Sequence, residues 1–123
     1  MTESIDATQA LFLGRDAVVR QTFDRVLAVL HDIGPFQVEA KKTSIHLTRG
    51  VGFAGVHPRK SYLYLNIRLD RPLAGERIAR SEQVSKHRFH NEVKLSTPAD
   101  VNPELTEWLR DAYELTDGSP VTQ

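Results

Sequence analysis

The spacing of hydrophobic positions changes twice along this chain. Between Asp16 and Gly34, Val19, Phe23, Val26, Leu27 and Leu30 recur at helical intervals, with Arg20, Asp24 and Arg25 between them. This predicts an amphipathic helix with Asp16 at its N-cap. Gly34-Pro35 ends it, because glycine suits the C-terminal turn and proline cannot continue the helix.

After Pro35 the period becomes two. In "FQVEAK", Phe36, Val38 and Ala40 alternate with Gln37, Glu39 and Lys41; in "SIHLTR", Ile45 and Leu47 alternate with Ser44, His46 and Thr48. "RGVG" supplies a turn, "FAGVH" a third strand that stops at Pro58, and "PRKS" a second turn. The clearest strand is "YLYLNIRL". Its Leu63, Leu65, Ile67 and Leu69 share one face, and Tyr62, Tyr64, Asn66 and Arg68 the other. Short links between successive strands imply antiparallel hairpins. "DRPLAGERIARSEQVSK" reads as a connection with one helical turn near Glu76–Arg80, and "HRFHNEVKL" as a fifth strand with Phe89, Val93 and Leu95 on one side. The period then returns to helical. Asn102 caps the last helix, Pro103 fits its first position, Glu104 suits its positive end, and Leu105, Trp108, Leu109 and Ala112 form its stripe.

These elements predict an α+β domain, a single antiparallel sheet of about five strands with an N-terminal and a C-terminal helix packed on one face. Two amphipathic helices need one sheet face to bury their stripes, and the leucine face of Tyr62–Leu69 suits that role. The tyrosine face is left for solvent, a partner or a ligand. Residues 1–10 read as a flexible polar N-terminus, 11–116 as one domain, and 117–123 as a polar tail.

Composition narrows the chemistry. A chain of 123 residues supplies one domain's worth of core. No apolar run approaches the roughly 18 residues of a membrane span. "MTESIDATQA" lacks the basic-then-apolar pattern of a secretory signal. The absence of cysteine removes disulfides, thiolate catalysis and cysteine-ligated zinc, and points to a reducing cytoplasm. None of the five histidines forms a helical His-x-x-x-His pair, so neither a metal nor a cofactor is expected. No G-x-S-x-G elbow, Walker loop or G-x-G-x-x-G after a strand is present. "GVGFAG" joins two strands and lacks the helix N-terminus that binds phosphate.

Charge is where the sequence becomes specific. The formal net charge is zero, yet twelve of the sixteen Lys/Arg and four of the sixteen Asp/Glu lie between Lys41 and Lys94. The middle is basic and the flanks acidic. Such asymmetry marks an interaction surface or an internal neutralisation. The candidate ligand-binding residues are Lys41, Lys42, Arg59, Lys60, His57, Tyr62 and Tyr64, with His46, Lys86 and Lys94 within reach of the same sheet region. Converging cations bind phosphate or carboxylate, and exposed tyrosines add stacking surface.

The segments "VEAKKTSIHLTRGVGFAGVHPRKSYLYLNIRL" and "SKHRFHNEVKLSTPADVNPELTEWLRDAYEL" together resemble the domain of unknown function 5655 family. The resemblance rests on Val38 with Lys41-Lys42-Thr43, then Phe53 after a turn, Pro58 with Lys60, and Leu63 with Leu65. It closes on Val93 with Leu95 and on Ala112-Tyr113, and spans Leu11 to Leu115. Many relatives carry a His-Trp-Gly-Asn type segment where this chain has "SKHRFHNEV". The resemblance implies a compact α+β domain, alone or attached to larger proteins including nuclease-like ones. It brings no established activity and no catalytic residues. It does place Lys-Lys-Thr and Pro-x-Lys within the family pattern.

The resulting expectation is a non-enzymatic binding or interaction domain whose basic sheet region meets an anionic small molecule or protein. One alternative is an enzyme acting on an anionic small molecule with His57 or His46 as general base. Another is a nucleic-acid accessory domain, which needs Tyr62, Tyr64 and the cations on one exposed face.

Overall fold

The computed structural model describes residues 3–116. Helix α1 (Glu3–Ala10) precedes α2 (Ala17–Ile33). Six strands follow: β1 (Gln37–Ala40), β2 (Ile45–Arg49), β3 (Val51–Pro58), β4 (Leu63–Leu69), β5 (Ile78–Ser85) and β6 (Arg88–Leu95). A short 3-10 turn at Pro98–Asp100 leads into α3 (Pro103–Glu114). All strand pairs are antiparallel, in the order β1-β2-β3-β4-β6-β5. The polar tail read over 117–123 lies outside the described residues, and helix α1 occupies part of the segment read as a flexible N-terminus.

The α+β class and the antiparallel sheet agree with the sequence reading, but the described residues form six strands. Ile78–Ser85 is a strand where the sequence suggested a connection with a helical turn near Glu76–Arg80. The reason is its position. β5 is an outer strand whose residues from Ala79 to Ser85 are all exposed. With no face to bury, it shows none of the apolar alternation that reveals a strand. The turn between β2 and β3 is also tighter than "RGVG" suggested. Gly50 alone makes it, at φ 79°, where only glycine is unstrained.

Alternation assigns the two faces. Ile45, Val56, Leu65 and Val93 stand opposite one another across four strands, and all four are fully buried. This face carries α2 and α3. Val19, Phe23, Val26 and Leu30 of α2 and Leu105 and Leu109 of α3 share its core, with Leu27 and Trp108 packed at its margin. Asn102 caps α3 by accepting from the Leu105 amide at 3.0 Å. Asp16 holds the N-cap position of α2 but makes no side-chain cap bond; its carboxylate pairs with Lys60 at 3.2 Å instead.

Because β4 and β5 are separated by β6, their connection must cross the end of the sheet. Asn91, fully buried on the core face, holds it there. Its Oδ1 accepts from the Leu73 amide at 2.9 Å and from Ser81 Oγ at 2.7 Å, and its Nδ2 donates to the Arg71 carbonyl at 3.1 Å. One amide thus ties β6 to the crossover and to β5. Among the described residues no helix is long and apolar enough to cross a membrane.

Candidate anion site on the open sheet face

Among the described residues no helix covers the opposite face of the sheet, where Glu39, His46 and Arg80 are exposed. Its central row runs Glu39, His46, Gly55, Asn66, Glu92 and Arg80, one residue from each strand. Beside it run His57, Tyr64 and Lys94 on one flank, and Arg68, His90 and Glu82 on the other. Two glycines open a hollow in this surface. Gly55 lies between His46 and Asn66, and Gly52 lies near the start of β3; neither carries a side chain to fill the space. The depression has a volume of about 140 Å³, with His46, His57, Asn66, Arg68 and His90 around a floor that includes Gly52, Ala54 and Gly55. A Cβ built on Gly52 meets nothing within 4 Å, and on Gly55 only the Ile45 carbonyl at 3.8 Å. The space is therefore available to a ligand rather than packed by protein.

The electrostatics of this hollow are one-sided. Arg68 is half-buried and makes no ion pair among the described residues. Burial first, then the neighbouring Arg88, lowers its proton affinity, yet a guanidinium stays charged in a protein. Burial also pushes His57 below the ordinary histidine range; Glu92 opposes this, while Arg59 and His46 reinforce it. His90 is lowered in the same way by burial, then Arg68 and Arg88, against an opposing pull from Glu82. At neutral pH the lining therefore holds one fixed positive charge, on Arg68, and the neutral imidazoles of His57 and His90, which can donate or accept hydrogen bonds. Among the described residues no three His, Asp or Glu side chains group as a metal site would require.

The candidates drawn from sequence divide into two sets. His57, Tyr62, Tyr64 and Arg59 come together. The tyrosine rings meet edge to face at 5.3 Å, the Arg59 guanidinium lies 5.5 Å from the Tyr64 ring centre, and Lys94 Nζ lies 4.4 Å from that of Tyr62. Lys60 turns toward α2, where its carbonyl accepts from the Asp16 amide at 2.8 Å and its ammonium pairs with the Asp16 carboxylate. Lys41 lies 3.6 Å from Glu39, and Lys42 is exposed in the turn closed by the Lys41 amide on the Ser44 carbonyl. The register of Ile45 with Val56 and of Val56 with Leu65 puts this turn and the 59–62 turn at the same end of the sheet.

Arg68, Asn66 and His90 are the residues the candidate set missed. The first two were within reach, since the alternation that exposes Tyr62 and Tyr64 also exposes Asn66 and Arg68. His90 required knowing that β6 pairs with β4, opposite Arg68. The glycines of "VGFAG" carried the remaining signal, because a glycine inside a strand often marks a close approach.

The model of the family described as a domain of unknown function (DUF5655) matches residues 8–116 of the chain. No curated protein and no solved structure matches it.

Proposed function

We propose that this chain, which belongs to the DUF5655 family, is a binding domain that receives an anionic group of its partner on the open face of the sheet. Arg68 carries the reading. A charged group drawn partly out of water costs free energy unless it is paired, and Arg68 has no carboxylate partner among the described residues. A ligand's phosphate or carboxylate would supply that partner, with Asn66 and the imidazoles as further hydrogen-bond donors. Arg59 and Lys94 add positive field along the same face.

A single-strand nucleic-acid platform fits less well. Base stacking needs free aromatic faces, whereas Tyr62 and Tyr64 are turned against each other and each has a cation at its ring. Catalysis on the anionic ligand is a second reading, favoured by the position of His57 in the hollow under the influence of Glu92. It predicts slow turnover of an activated phosphate ester that His57→Gln abolishes.

The test of the binding reading is calorimetric titration with inorganic phosphate and acetate at low ionic strength. Hydrogen bonds to charged groups contribute about 1.5–3 kcal/mol, so Arg68→Ala should weaken binding about 10- to 100-fold. Absence of binding by the wild type, or equal binding by the variant, would overturn it.

A further inference from the structure

We infer that the group received in the hollow is a doubly charged tetrahedral oxyanion of the phosphate-ester class, and that it enters together with a proton taken up by His57 or His90 in the lining. This rests on the anion-binding reading above and specifies its ligand.

Size is the first argument. Pockets that enclose a drug-sized molecule measure roughly 300–1,000 Å³. A hollow of about 140 Å³ admits a head group and leaves the rest of the ligand outside. The second argument is the direction of the donors. His46 comes from β2, His57 from β3, Asn66 and Arg68 from β4, and His90 from β6. Donors from four strands surround their guest. A planar carboxylate is satisfied by the fork of a single arginine, whereas a tetrahedral oxyanion presents oxygens on several sides and can engage the whole lining.

Charge supplies the third argument. With His57 and His90 neutral the lining offers one fixed positive charge, that of Arg68, too little for a dianion. The groups facing each imidazole decide what happens when the anion arrives. His57 faces Glu92 on β6, His46 on β2, Tyr64 on β4 and Arg59 in the adjoining turn. His90 faces Arg68 on β4, Glu82 on β5 and Arg88 on its own strand. His46 stands opposite Glu39 on β1. In the free protein, burial and the arginines hold the His57 and His90 protons off. A bound dianion cancels the arginine repulsion and favours the imidazolium. Linkage makes the effect reciprocal, so protons raise anion affinity by the factor by which the anion raises proton affinity. One proton taken up per anion gives up to about tenfold in affinity per pH unit.

Sulfate is the cleanest probe, because its charge is fixed where a phosphate ester titrates near pH 6. Histidine ring resonances would be followed by NMR from pH 8 to pH 5, with and without sulfate at constant ionic strength. The His57 and His90 midpoints should rise with sulfate. The ring of His31, on α2 against Phe36 and outside the hollow, serves as the reference signal that sulfate should leave in place. Calorimetry should show sulfate binding at least about tenfold tighter at pH 6 than at pH 8, and phenyl phosphate binding tighter than benzoate at pH 7. Gly55→Val fills the hollow at a position where a Cβ meets only ordinary contacts. It should keep the wild-type melting temperature and lose both the binding and the midpoint shifts. Unmoved midpoints with bound sulfate, benzoate binding as tight as phenyl phosphate, or a folded Gly55→Val that still binds would each overturn the inference. Only the first two would leave the broader anion-binding reading standing. No anion binding at any pH would remove both.

Discussion

The Tyr113 hydroxyl donates to the carbonyl of Pro35 at 2.7 Å, joining the last helix to the end of the first long one. Its ring lies over Gly34, so close that a Cβ at position 34 would stand 2.9 Å from Tyr113 Cζ. Glycine is needed there for space. Tyr113→Phe should cost about 0.5–1.5 kcal/mol through the lost hydrogen bond. Gly34→Ala should cost about 1–3 kcal/mol through overpacking. In a Tyr113→Ala background the alanine at 34 should cost far less. Urea unfolding of the four proteins measures this coupling, and additive losses would show that the two positions do not share the contact.

Asn91 should be among the most sensitive polar residues. Replacing it with alanine leaves the Leu73 amide and the Arg71 carbonyl without their partner. A loss of about 1–3 kcal/mol is expected. Hydrogen exchange at the Leu73 amide should accelerate more than exchange at Leu65 in the centre of β4. Equal acceleration at both would mean that the amide supports the whole sheet rather than the crossover.

Stability should depend on pH in a definite direction. The folded protein holds His57 and His90 below the ordinary histidine value. As pH falls through about 6.5, the unfolded chain takes up protons that the folded chain refuses. These groups therefore leave stability unchanged above about pH 6.5 and erode it below, down to their folded-state values. Urea midpoints at pH 7.5 and 6.5 should be close, and the midpoint at 5.5 lower. The double variant His57→Gln, His90→Gln should flatten the decline. A wild-type midpoint that holds to pH 5.5 would mean these imidazoles protonate as readily in the folded chain as in the unfolded one.

The outlying cations separate field from contact. Lys42 and Arg59 are exposed, so their joint replacement by alanine should change stability by no more than about 0.5 kcal/mol. Their effect on sulfate affinity should be small and should vanish with added salt. That of Arg68→Ala should persist, because a partly buried contact is screened less. A salt-insensitive loss in the Lys42, Arg59 variant would relocate the contact to the sheet end.

Sequence alone reached the two long helices, because α2 and α3 bury one face each and their stripes record it. It reached β4 as well, since Leu63, Leu65, Ile67 and Leu69 face the core while Tyr64, Asn66 and Arg68 do not. It failed at Ile78–Ser85, where an outer strand buries almost nothing and its pairing with β6 leaves no hydrophobic trace. The site was half legible for a related reason. His57, Tyr62, Tyr64 and Arg59 are neighbours in the chain and could be grouped by alternation. Arg68 and His90 meet only through a strand order that skips β5, and a period of two says nothing about which strands are adjacent.

That strand order also sets a sequence of events for the growing or refolding chain. β5 leaves the ribosome before β6 yet has no partner until β6 follows. The turn at Lys86–His87 lets the two form a hairpin locally. The hairpin must then dock along β4, from Leu69 with Phe89 to Leu63 with Leu95, closing a long loop. Contacts of large sequence separation form slowly because the loop entropy is lost before the contacts compensate it. Until docking, the free edge of β4 is a template for pairing with other chains. His90 rides on the hairpin, so the hollow is complete only when this last piece is seated. An anion that bridges Arg68 and His90 would fasten the hairpin to the sheet and slow its release.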